Sequence, residues 1–205
     1  MAELDVQPKN SNSWWIWILA ALIALVLLLL LLRGCNSTDN TTVITDSTTT
    51  TTVAKTQPDW DKVDFNAAKA TDADVTDPSI VVSGNDQYTI YTLGENILFA
   101  TDQNTLQGEA GAKLTQVANS LNKRFKGATI GVYGNTDSEG TAGYNKALGA
   151  ERAAAVKAWL VSNGGVDEAQ VSIHSLGENQ PVATNTTATG REQNRNVSIV
   201  AFTNK

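Results

Sequence analysis

The pattern of apolar and polar positions divides the chain into stretches that cannot share one structure. Residues 14–32, WWIWILAALIALVLLLLLL, are apolar throughout, with no charge, glycine or proline. At 1.5 Å per helical residue they reach about 28 Å, close to the ~30 Å hydrocarbon core of a bilayer. Residues 33–58 are polar and dominated by threonine, including five in a row at 48–52. From about residue 60 onward, runs of strand and helix periodicity alternate. Ile80–Ser83 and Gln87–Leu93 are β-branched and aromatic around Gly84-Asn85-Asp86, which predicts a hairpin. Leu106, Ala110, Leu114, Val117, Leu121 and Phe125 recur at helix spacing, and Gly127 stops them. ATIGVYG (128–134) reads as a strand. Thr141 is placed to cap a helix running to about Asn163 with Gly164 as its stop, Val171–Leu176 is a further strand, and Arg195–Phe202 is the last. Trp60–Ser79 is polar with scattered apolar residues, a short helix or a docking segment. The fold class expected is α+β: a β-α-β-α-β-β two-layer sandwich with a mixed sheet, plus one N-terminal transmembrane helix.

The apolar run has the marks of an uncleaved anchor. Trp14, Trp15 and Trp17 crowd one end and Arg33 closes the other. A cleavable signal peptide has a basic start and a shorter core, whereas Glu3 and Asp5 precede this one. The competing reading is a lipoprotein signal with Cys35 as the lipidated residue. The run holds no ionisable side chain, so it tethers and does not relay protons as a single-helix stator must. The threonine-rich stretch is too polar to offset its own ordering entropy and is read as a flexible linker.

Composition narrows the function classes. The net charge of −6 and the lack of a Lys/Arg cluster exclude a nucleic-acid footprint. One cysteine and one histidine, Cys35 and His174, do not build a protein zinc site. His174 lies in a strand-like run and is read as a face residue. No phosphate loop, dinucleotide fingerprint or nucleophile–base pair is present, so no cofactor, no metal and no enzymatic activity are expected.

One residue breaks the pattern. Along the helix from Thr141, Asn145, Leu148, Arg152, Val156 and Trp159 or Leu160 share a face, so a guanidinium sits in an apolar stripe. A buried guanidinium needs an anionic partner. Asp137, in the turn NTDSEG before the helix, is the nearest carboxylate along the chain. The pair is read either as an internal salt bridge or as a clamp for a zwitterion, with the carboxylate taking an ammonium and the guanidinium forking a carboxylate.

Spaced motifs run in order through this region: Gly134-x-Thr136-Asp137-x-x-Gly140, Asn145-x-x-Leu148-x-x-x-Arg152-Ala153-x-x-Val156, Gly177-x-x-x-Pro181, and Asn185-x-Thr187-x-x-Gly190-Arg191-x-x-Asn194-Arg195-x-Val197. They resemble the OmpA C-terminal, peptidoglycan-binding family over about residues 90–203. Ile97-Leu98-Phe99 and Thr105-Leu106 resemble that family's opening strand and helix entry. The resemblance implies non-covalent binding of the diaminopimelate end of the peptidoglycan stem peptide. Asp137 and Arg152 are then the principal contacts, and Thr101, Asp102, Asn145 and Arg195 the lesser ones. Asn135, Gly149, Ala100 and Asn196 depart from the family's usual residues. The expected organisation is a cytoplasmic tail (1–13), a transmembrane helix (14–32), a linker (33–58), an extension with a hairpin (59–92) and an OmpA-like domain (93–205). The protein is then a single-pass cell-membrane protein with its C-terminal domain in the periplasm, or an outer-membrane lipoprotein through Cys35. The rival function is an envelope scaffold that uses the same fold to bind a protein partner, with residues 60–92 as the partner surface.

Overall fold

In the computed structural model, residues 58–100 and 103–203 are described. The apolar run 14–32, the threonine-rich stretch up to residue 57, Cys35, Thr101 and Asp102 lie outside them. Among the described residues no helix is long and apolar enough to cross a membrane.

Five strands form one mixed sheet. β1 (Ile80–Gly84) and β2 (Tyr88–Gly94) are the expected antiparallel hairpin, in register from Ile80 opposite Leu93 to Gly84 opposite Thr89. Its turn is closed by the Asn85 side chain, whose Oδ1 accepts from the backbone of Gln87 at 2.8 Å and Tyr88 at 3.2 Å. β3 (Ile130–Asn135), β4 (Val171–Gly177) and β5 (Asn196–Phe202) complete the sheet in the order β1-β2-β5-β3-β4. β5 is antiparallel to both neighbours and β3 is parallel to β4. The hairpin is therefore built into the same sheet as the rest, because β2 pairs along its whole length with β5, the last strand in sequence.

Among the described residues four α-helices accompany the strands: α1 (Glu95–Leu98), α2 (Ala110–Arg124), α3 (Ala142–Ser162) and α4 (Ala188–Asn194). α2 and α3 cover one face, where Leu114, Val117, Leu121, Val156 and Leu160 meet Tyr91, Ile130, Val132 and Ile199. Thr141 caps α3 as expected, its hydroxyl accepting from Tyr144 N at 3.3 Å. The left-handed residue after α3 is Gly165 (φ 68°), one position beyond the expected stop.

Three expectations need correction. Ile97 and Leu98 are not in a strand but in the single turn of α1, and Phe99 makes an isolated bridge to Leu106. Leu106 thus precedes α2, which starts at Ala110; helical spacing places a residue on a face without proving that the helix reaches it. α4 is an additional helix within the Asn185–Asn194 motif, too short for periodicity to reveal, and Thr187 caps it by accepting from Gly190 N at 3.1 Å.

Beside the sheet and helix layers, part of the second face of the sheet is covered by the segment before β1. Trp60, in a 3-10 turn, lies with Val63 and Phe65 over Tyr88, Ile90, Tyr133 and Val200. The segment expected as a partner surface is thus packed on the domain's own sheet. His174 is a strand-face residue as expected: its ring stacks on Tyr133 (centroids 4.5 Å apart) and contacts Trp60 (4.6 Å). Farther along, buried Asp72 accepts from Tyr91 Oη (2.8 Å), Ser120 Oγ (2.5 Å) and Arg124 Nη1 (2.6 Å), which ties the N-terminal segment to β2 and α2.

Candidate functional site

The loop after β3 and the middle of α3 meet because strand and helix touch backbone to backbone. A Cβ on Gly134 would lie 1.8 Å from the carbonyl oxygen of Gly149, and one on Gly149 would lie 2.7 Å from that of Gly134. Glycine at both positions is what lets α3 lie on β3 this closely. Gly149, a departure from the family's usual residue, acquires here a structural reason. Arg152 follows less than one turn later. On the strand side, Thr136 N donates to Gly177 O at 2.9 Å and Asn135 Nδ2 to Asn196 Oδ1 at 2.8 Å, which fixes where Asp137 emerges.

Asp137, Asn145, Arg152 and Arg195, all predicted from the sequence, line one cavity of about 580 Å³. Arg152 is 4% exposed and Asp137 6%. They do not pair with each other, which removes the internal salt bridge, one of the two readings of this pair. Arg152 Nη2 donates to Glu95 Oε1, while Asp137 Oδ2 accepts from Arg195 Nη1 at 2.7 Å. Arg195 Nε lies 3.0 Å from Glu95 Oε2, at ion-pair distance but without hydrogen-bond alignment. The charges therefore run as a chain, Arg152–Glu95–Arg195–Asp137. The Asp137 hydrogen bond holds the Arg195 guanidinium more firmly protonated than usual; burial opposes this, and the nearby Glu95, Asp137 and Glu192 charges reinforce it.

Glu95 is the residue that sequence reasoning missed. It lies 57 positions from Arg152, as the first residue of α1 directly after β2, and reaches the site because β2 runs beside β5. Its backbone N donates to Arg195 O at 2.9 Å, which closes the corner between β2 and β5. The one available signal was that a buried arginine demands a carboxylate, and proximity along the chain selected the wrong one.

The other donors are unevenly engaged. Asn145 Nδ2 donates to Asp137 O (3.2 Å) and Glu178 Oε2 (2.5 Å), so its amide braces the loop against α3. The Arg152 guanidinium carbon sits 5.7 Å from the centroid of the Phe99 ring. Arg152 Nε is buried without any partner. A donor in that condition is costly in a folded protein and is open to an acceptor. Six acidic or basic residues line the cavity: Glu95, Asp137, Glu139 and Glu192 against Arg152 and Arg195. The excess of carboxylates suits a ligand that brings positive charge, and the buried guanidinium suits one that also brings a carboxylate.

A second cavity, of about 570 Å³, opens on the opposite face of the sheet among Phe65, Val81, Thr92, Ile97, Val182 and Ser198. Its walls hold none of the predicted ligand contacts, but Phe65, Val81, Ser83 and Thr92 among them belong to the 60–92 segment expected as a partner surface.

Comparison with known proteins agrees with the architecture. Residues 98–195 match the model of the OmpA family. The chain is 44% identical over 101 residues to Outer membrane protein A of Bordetella avium, which covers 49% of this chain and 51% of that one. It is 36% identical over 114 residues to the Peptidoglycan-associated lipoprotein of Mesorhizobium japonicum, covering 56% and 67%. The match thus spans about half to two thirds of these relatives' lengths. Among solved structures, the cell wall anchor of the T6SS from Pseudomonas aeruginosa superposes with a TM-score of 0.56 at 28% identity, covering 62% of this chain and 89% of that one. The periplasmic domain of Helicobacter pylori MotB does so with a TM-score of 0.55 at 27% identity, covering 62% and 82%. With the motifs, the mixed sheet and these matches in place, residues 98–195 form an OmpA-like domain and the chain belongs to the OmpA family.

Proposed function

We propose that the protein is a non-enzymatic envelope tether, whose OmpA-like domain holds the peptide stem of peptidoglycan by the zwitterionic end of diaminopimelate. Arg152 takes the ligand carboxylate, and Asp137, the ammonium. Asn145 and Arg195 shape the cavity around them, and Thr101 and Asp102 are further contacts on the family pattern. The observation that carries this reading is the buried, unpartnered Nε of Arg152 in the cavity that also holds buried Asp137. A fixed guanidinium edge and a fixed carboxylate in one cleft match an ammonium and a carboxylate on one carbon. Support also comes from the relatives, one a peptidoglycan-associated lipoprotein and one a cell wall anchor.

Residues 14–32 then hold the protein in the cytoplasmic membrane, and the threonine-rich linker carries the domain into the periplasm. This orientation follows from where peptidoglycan lies. Reporter fusions at both ends test it, and a cytoplasmic C-terminus would end the reading.

The direct test is co-sedimentation of residues 54–205, a compact unit with its own core, with purified peptidoglycan sacculi. The fragment is expected to pellet. Asp137→Asn and Arg152→Lys are expected to lose about ten-fold or more in affinity, the value of one charge-assisted hydrogen bond, with melting curves showing folded protein. A wild-type fragment that stays in solution sinks the proposal and directs attention to the scaffold reading.

A further inference from the structure

We infer that Glu95 is the site's own stand-in ligand: it occupies Arg152 in the place a bound carboxylate takes, and thereby selects ligands that bring an ammonium as well. This rests on the reading of the cavity as a stem-peptide site. The geometry of the ion chain is its basis. Glu95 engages Arg152 through Nη2 alone, while the adjacent Nε is buried and unpartnered. Nε and Nη2 form one edge of the guanidinium, the edge that forks a carboxylate with two parallel hydrogen bonds. A single-pronged internal partner is thus exchangeable for a two-pronged external one.

Glu95 also has somewhere to go. Its Oε2 is buried without a hydrogen bond, yet Arg195 Nε is only 3.0 Å away and misaligned. Turning off Arg152 lets the carboxylate align on Arg195, so release at one guanidinium is offset at the other. Binding becomes a hand-over within the chain of charges rather than the burial of a new unpaired group.

Selectivity follows from charge. Four carboxylates face two guanidiniums in the cavity lining. A ligand carrying only a carboxylate meets like charge and must also displace Glu95. A zwitterion meets the same cost but brings an ammonium to the surplus carboxylates. Glu95 therefore acts against simple anions, a repulsive element of the kind that specificity requires.

The test uses fragment 54–205 as wild type, Glu95→Gln and Glu95→Asp. The probes are meso-diaminopimelate and pimelate, which has the same carbon chain and carboxylates without the amines. Binding is read by NMR titration of the arginine Nε–H signals, with a melting curve for each variant. Wild type is expected to prefer diaminopimelate. Glu95→Gln keeps an acceptor for Arg152 and is expected to gain about ten-fold for pimelate, narrowing the preference by that factor, while Glu95→Asp restores it. A Glu95→Gln variant that melts like wild type and keeps the preference unchanged, or weakens both ligands in parallel, overturns the inference and makes Glu95 a positioning residue for Arg152. If wild type ignores diaminopimelate but Glu95→Gln acquires pimelate binding, Glu95 is the stand-in and the stem-peptide reading fails alone. If no variant binds either probe, both fall.

Discussion

Gly149→Ala sets helix propensity against packing, with opposite signs. Gly149 lies inside α3, where alanine is favoured over glycine by about 0.8–1 kcal/mol. Propensity alone therefore predicts a more stable protein. The structure predicts the reverse. A Cβ at this position would lie 2.7 Å from Gly134 O, on a strand paired on both sides, and 2.6 Å from Ser175 Oγ. Ser175 is not free to turn away without loss, because its hydroxyl donates to Lys146 O at 2.7 Å. Overpacking of this kind costs about 1–3 kcal/mol and here moves α3 off β3. With two neighbouring atoms within 2.7 Å the cost falls in the upper half of that range, and set against the gain in propensity it leaves a net destabilisation of roughly 1–2 kcal/mol. For a fragment of this size that is a fall in Tm of about 2–8 °C. Thermal unfolding of fragment 54–205 followed by circular dichroism reads it directly. Sacculus binding should fall more than stability does, because Arg152 and the Asp137 loop are held in place by this contact. A Tm equal to or above wild type would refute the backbone contact as the device that sets the site.

The remaining predictions concern acid stability and the cover of the second face. The Lys113 ammonium, 2.6 Å away, with the Ser79 hydroxyl and backbone N–H, holds the Asp77 carboxyl down to about 2. Since an unfolded aspartate titrates near ~3.9, this stabilisation is complete above about pH 4 and is lost as pH falls through about 2. Tm of wild type is expected to decline over that range, and that of Asp77→Asn to decline less; parallel declines would exclude Asp77 as a cause. Trp60→Ala uncovers the second face, where the indole lies against Gly131, His174 and Phe202. As Trp60 is only partly buried, about 2 kcal/mol of stability should go, less than the ~3–5 kcal/mol of fully buried aromatic truncations, measured by urea unfolding. Burial lowers the pKa of His174, against the upward pull of Asp61, so the same variant should move it back up in an NMR titration; an unmoved His174 would mean that Trp60 does not bury it.

What the sequence determined by itself was local and periodic. The hairpin, the capped helix from Thr141, and the strands around Ile130, Val171 and Val197 follow from side-chain patterning over a few residues, and they are found where the patterning puts them. Even the anomaly of Arg152 was legible, because a guanidinium in an apolar stripe demands an explanation from composition and spacing alone. Four of the residues that the resemblance implies as ligand contacts, Asp137, Asn145, Arg152 and Arg195, line one cavity. Which charges pair was not legible. Glu95 reaches Arg152 only because the first hairpin pairs with the last strand, a contact between residues far apart in sequence that no local pattern encodes. The same holds for Trp60 over Gly131, whose missing side chain is explained by a ring arriving from 71 positions earlier. Periodicity says which face of an element is apolar. It does not say what covers that face or which carboxylate neutralises a buried cation, because those depend on strand order and on close backbone approach, which exist only once the chain has folded.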